Sequence, residues 1–132
     1  MSLEENKALA RRIVEEMWNT PNLRVIDEIY SPDFGEQGHT GSKQWVTAVL
    51  ASIPDLHNTI MDQVGENDLV ATRYLSRGTQ LGLYGALPAT GKQFEVIRME
   101  MHRFVNGKLT ELWNVIDNLS MLRQLGVIPP QG

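Results

Sequence analysis

Apolar and polar residues alternate through two stretches of this chain, FEVIRMEMHRFV (94–105) and LTELWNVID (109–117), which meet across Asn106-Gly107. Asn-Gly between alternating runs predicts a two-residue type I′ hairpin, because both turn residues need φ > 0. Period-two geometry puts Phe94, Val96, Arg98, Glu100, His102 and Phe104 on one face of the first strand. Counting back from a Val105–Lys108 pair sets His102 opposite Glu111 and Glu100 opposite Trp113. The second strand then presents Leu109, Glu111, Trp113, Val115 and Asp117 to that same face. Arg, Glu, His and Asp on strands that also carry Trp, Met and Ile predict that one face lines a cavity.

The first half carries a different period. Leu9, Ile13, Val14, Met17 and Trp18 recur at helical spacing over 3–19, with Ser2 and Glu5 spaced as a capping box. A short helix over 23–30 follows Pro21 and ends at Ser31-Pro32. Glycine-rich FGEQGHTG (34–41) predicts a short strand or loop holding Glu36, Gln37 and His39. A third helix over 42–53 is expected to bury Trp45, Val46, Val49 and Leu50 before Pro54. Alternation resumes over 56–64 and 69–79, the pattern of an antiparallel meander. The segment 80–92, QLGLYGALPATGK, predicts an irregular loop that forms a rim or flap. Leu119, Leu122 and Leu125 predict a short closing helix ended by Gly126.

Helices followed by strands is the α+β order. The expectation is a single domain over 1–132, with three N-terminal helices on a strongly curved antiparallel sheet. That arrangement makes a cone-shaped α+β barrel enclosing a pocket. The chain has 132 residues, 42% hydrophobic and 21% charged, as in ordinary globular domains. A net charge of −4 with no basic stripe argues against nucleic acid. No apolar run approaches the roughly 20 residues of a membrane span, and MSLEENKALARR has no apolar signal core, so a cytoplasmic protein is expected. With no cysteine there is no thiolate chemistry. The three histidines, His39, His57 and His102, have no metal-ligand spacing, so no metal site is expected.

The segments MWNTPNLRVIDEIYSPDF, IPDLHNTIMD, RGTQLGLYGALPATGKQFEV and ELWNVIDNLSMLRQLG resemble, in order, the SnoaL-like polyketide cyclases of the nuclear transport factor two-like superfamily. The resemblance covers nearly the whole chain. It implies the same cone, a homodimer through the outer face of the sheet, and a small hydrophobic molecule as partner. It also implies cofactor-independent aldol closure of a polyketide ring, with Asp117 of WNVID as general acid/base. Related epoxide hydrolases use two aspartates and an arginine in the same cone, and Asp117, Arg98 and Glu100 resemble that network. A non-enzymatic small-molecule-binding domain is a third reading.

The residues themselves suit enolisation, which needs a base near the C–H, a donor at the enolate oxygen and exclusion of water. Asp117 beside Trp113 is the candidate base, Arg98 polarises a carbonyl or holds Glu100 ionised, and His102 donates or shuttles a proton. His39, Glu36, Trp18, Trp45, Trp113 and Tyr84 are candidate substrate contacts. Each has a plainer role: Arg98 and Glu100 as a structural pair, Asp117 as cap of the last helix, and the tryptophans as core.

Overall fold

The computed structural model describes residues 1–130. It contains α1 (Leu3–Arg12), a π-helical continuation (Ile13–Asn19), α2 (Arg24–Ile29), α3 (Gly38–Ser52), β1 (His57–Glu66), β2 (Leu69–Thr79), β3 (Gln93–Val105), β4 (Lys108–Ile116) and α4 (Asn118–Gln124). The four strands pair antiparallel in sequence order, so the sheet is an open meander with β1 and β4 as edges, not a closed barrel. The helices cover one face of this curved sheet in an α+β arrangement.

Local chemistry accounts for most boundaries. Ser2 Oγ accepts from the Glu5 amide at 3.1 Å while Glu5 Oε1 accepts from the Ser2 amide at 3.2 Å, closing the capping box that starts α1. In the widened π segment, Ile13, Val14, Met17 and Trp18 are all buried. The β3–β4 turn has Asn106 at φ 51° and Gly107 at φ 77°, the double positive φ of a type I′ hairpin.

Two expectations need correction. Helix α3 starts at Gly38, not at 42, because Gly38 at φ 58° turns the chain and places His39 in the first helical turn. Trp45 is correspondingly 49% exposed: α3 docks through Val46, Val49 and Leu50, leaving Trp45 on its flank against the edge of Trp18.

The second correction concerns register. Val105 pairs with Lys108 and Phe104 with Leu109, but Arg103 pairs with Glu111, so Thr110 is an extra residue in a β-bulge. Beyond it the strand parity is reversed: His102 faces Leu112, Glu100 faces Asn114 and Arg98 faces Ile116. Glu111, Trp113 and Val115 therefore point outward. An unbulged hairpin would have set the Glu111 carboxylate beside buried His102, at the desolvation cost of an unpaired charge. With the bulge, Leu109 is fully buried and Glu111 pairs on the outside with Arg103 at 3.0 Å.

The core lies between the helices and the inner face of the sheet. It gathers Ile13, Met17, Trp18, Val25, Ile26, Ile29 and Tyr30 from the helices with Val70, Phe94, Val96, Phe104 and Leu109 from the strands.

Candidate functional site

Alternation on β3 and β2 builds the site. Inward from apolar Phe94 and Val96, β3 presents Arg98, Glu100 and His102 before Phe104, while β2 presents Thr72 opposite Glu100 and Tyr74 opposite Arg98. Glu100 is only 6% exposed, and the Tyr74 hydroxyl donates a hydrogen bond to its Oε1. Arg98 is partly buried, and its Nε has no hydrogen-bond partner among the described residues. Burial works against its charge, but Tyr74, Tyr84 and Glu100 outweigh that and leave its pKa above the ordinary value. A permanent cation thus sits beside a buried carboxyl and two phenols.

Desolvation drives the other shifts. It pushes the Tyr74 phenol well up, with Glu100 reinforcing it and Arg98 opposing, and it pushes Tyr30 up with the same help from Glu100. Both phenols are therefore proton donors at any physiological pH. His102 is fully buried and stacks on Phe104 at 5.9 Å, with neither ring nitrogen bonded among the described residues. Burial lowers its pKa and Glu100 offsets only part of this, so the ring is neutral and offers one donor and one acceptor.

Of the candidates from sequence, the structure brings Arg98, Glu100 and His102 together on the inner face. Tyr84, on the 80–92 loop, packs against the core and acts on Arg98. Asp117 lies elsewhere: it is exposed at the end of β4, one residue past the partner of Arg98, and its Oδ1 accepts from the Ser120 amide at 3.1 Å as N-cap of α4. The expected burial of Asp117 beside Trp113 does not occur. Trp113 is on the outer face, 46% exposed, with the Arg103 guanidinium 6.0 Å from its ring.

His39 ties the helices together instead of facing this cluster. Its Nε2 lies 2.9 Å from the Tyr30 carbonyl and its Nδ1 lies 3.5 Å from Asp27. Glu36 and Trp45 line a separate surface pocket of about 390 Å³ with Phe34 and Gln37, and Trp18 is buried core. Sequence reasoning missed Tyr74, although its alternation with Val70, Thr72 and Ser76 marked it as inward-facing. It also missed Gln80, for which no sequence signal existed because its partners are mostly backbone groups.

Among the described residues, no group of three His, Cys, Asp or Glu side chains is placed to hold a metal ion. None of their helices is long and apolar enough to cross a membrane.

Comparison with known proteins gives this geometry a setting. The family profile described as SnoaL-like polyketide cyclase matches residues 8–125. Among solved structures, AclR from Streptomyces galilaeus, described as a candidate hydroxylase, is 30% identical with a TM-score of 0.83, covering 99% of this chain and 87% of its own. IdmH from Streptomyces antibioticus, described as a candidate polyketide cyclase, is 29% identical with a TM-score of 0.78 over 92% of this chain and 98% of its own. TsrD from Streptomyces laurentii shares the fold at 24% identity, TM-score 0.88, over 97% of this chain and 99% of its own. A search of curated proteins found no match. The chain belongs to the SnoaL-like polyketide cyclase family, and that membership supports a cyclase- or isomerase-type role.

Proposed function

We propose that the protein is a cytoplasmic, cofactor-independent cyclase or isomerase that closes a ring of a hydrophobic, polyketide-like carbonyl compound by aldol chemistry. The observation that carries this reading is Glu100: a carboxyl 6% exposed, held by the Tyr74 hydroxyl and set beside Arg98 on the inner face of the sheet. A structural ion pair would cost less at the surface than in this interior. Membership of the family supports the same chemistry.

In the proposed reaction the Asp117 carboxylate, exposed at the end of β4 one residue past Ile116, takes a proton from the carbon beside a ketone. The cap bond to Ser120 holds one carboxyl oxygen, and the other is without a hydrogen-bond partner among the described residues. The electron pair moves to the carbonyl oxygen, where the Arg98 charge and a phenol stabilise the enolate. The enolate carbon then forms a bond to a second carbonyl carbon of the same molecule, and the resulting alkoxide regains the proton. Glu100 and Tyr74 fix Arg98, and His102 supplies the deepest donor and acceptor. No electrons are exchanged, and the product is an isomer of the substrate, or lighter by one water after dehydration.

The test is turnover of an aldol-competent polyketone panel by the protein and its Asp117→Asn and Arg98→Met variants. General acid/base catalysis is worth about 10²- to 10⁴-fold, so Asp117→Asn should lose at least ~100-fold. Full activity in that variant removes Asp117 from the mechanism. A hydrolase is the second reading, favoured by the shared placement of Arg98 and Glu100. It would yield a product heavier than an epoxide substrate by the mass of one water.

The partner surface is a further part of this reading. Ile97, Met99, Met101, Trp113 and Val115 are exposed together on the outer face, where Ala71, Met99, Met101, Trp113 and Val115 line a hollow of about 460 Å³. Charged pairs Arg73–Asp62 and Arg103–Asp68 lie on the same sheet. An apolar centre with charges of both signs suits an isologous contact with a second copy.

A further inference from the structure

The 80–92 connection is built around one side chain. Gln80 is fully buried, and its amide makes five hydrogen bonds to the loop it begins. The two Nε2 hydrogens are shared among the carbonyls of Gly82 at 3.1 Å, Leu87 at 3.2 Å and Pro88 at 3.0 Å. Oε1 accepts from the Thr90 amide at 3.1 Å and its hydroxyl at 2.8 Å. The Gln80 backbone adds bonds to Lys92 and Gly91. Both ends of the loop are therefore held to one point.

The tip is tied as well. Tyr84 and Leu87 exchange backbone hydrogen bonds at 3.0 and 2.9 Å across Gly85, and both side chains pack on the core. A buried amide with this many partners is costly to replace, because each freed backbone group loses its partner away from water.

We propose that Gln80 is a positioning residue: by clamping the loop it holds the Tyr84 phenol against the inner-face cluster beside Arg98. The clamp is a property of the fold, while its importance to turnover rests on the cyclase reading above. Tyr84 is then a site residue by way of Gln80, and the loop is a preformed cover.

The test needs no substrate. The chain has three tyrosines, so labelling with 3-fluorotyrosine gives three fluorine resonances, assigned by Tyr→Phe variants. In Gln80→Leu the Tyr84 resonance should move toward free fluorotyrosine, while those of Tyr30 and Tyr74 stay in place and report an intact fold. Amide exchange at Leu87, Thr90 and Gly91 should rise about tenfold or more as the loop opens locally. Arg98→Lys should shift the Tyr84 resonance in the parent protein and leave it unmoved in Gln80→Leu, a coupling that a merely structural glutamine would not produce.

Gln80→Glu keeps the acceptor for Thr90 and loses the donors at neutral pH. It should release Tyr84 at pH 7 and recapture it partly as acid restores one donor. If Gln80→Leu does not fold, Thr90→Val removes one bond to Gln80, together with the Lys92 amide's bond to the Thr90 hydroxyl, and should move Tyr84 in the same direction by less. An unmoved Tyr84 resonance with unchanged exchange in a folded Gln80→Leu, or in Thr90→Val, overturns the proposal. Loss of the aldol reading would leave these outcomes untouched.

Discussion

Both faces of β3 break the usual placement of residues at their centre, although Phe94, Val96 and Phe104 are buried on the inner face and Glu95 and Arg103 lie on the outer. The inner face carries Arg98, Glu100 and His102 under the helices, while the outer face carries Ile97, Met99 and Met101 in the open. Stability alone would favour neither the buried charges nor the exposed Ile and Met side chains, since buried charge costs and exposed apolar area gains nothing. Neither feature is explained by the folding of one chain; in the proposed reading the inner charges serve a bound molecule and the outer apolar patch a second copy.

The sharpest break of that comparison is a core truncation. Phe104→Ala should lower stability by about 3–5 kcal/mol in denaturant unfolding, because a fully enclosed ring is lost. Met101→Ala, three residues earlier on the outer face of the same strand and 41% exposed, should change the stability of the isolated chain by no more than about 0.5 kcal/mol. Equal costs would mean that the outer face is already covered within one chain.

Next in size is the inner charge. Arg98→Met should fold and lose roughly 100-fold or more in turnover, the usual scale for one preorganised charge at a developing oxyanion. Trp113→Asp on the outer face should leave that turnover within a few-fold but shift sedimentation from dimer to monomer. A parent chain that sediments as a monomer at every concentration removes the partner surface.

His102 gives a smaller, pH-dependent effect. Its folded pKa is depressed, so the unfolded chain takes up a proton first. Its neutral ring is tolerated above the unfolded value of about 6.5, and stability falls as pH drops below that toward the folded value. His102→Leu should flatten this part of the stability curve; an unchanged slope assigns it to another group. The smallest effect separates two roles of one residue. Asp117→Ala should cost α4 about 1 kcal/mol as a lost cap, whereas Asp117→Asn keeps the cap and removes only the base.

Much of this was legible beforehand. The capping box at Ser2, the Asn106-Gly107 turn, the meander and the grouping of Arg98, Glu100 and His102 on one face all followed from local spacing. The face of β4 did not. Asn-Gly correctly paired Val105 with Lys108, but the bulge at Thr110 two residues later reversed every side chain from Glu111 to Ile116. Nothing in LTELWNVID announces that insertion, because what drives it is remote: Leu109 bridging to Tyr30 under α2, and Glu111 finding Arg103 outside.

The chain by itself determined its elements, because caps, turns and periodicity act between residues a few positions apart. It sorted the side chains of β3 into two faces for the same reason, since alternation needs no partner, while packing against the helices decided which face turned inward. Only the tertiary structure decided that Tyr74 meets Glu100, that Trp113 faces outward, that Asp117 sits at the surface and that Gln80 holds a loop. Those outcomes depend on desolvation and on backbone groups distant in sequence, and neither leaves a mark on the order of the letters.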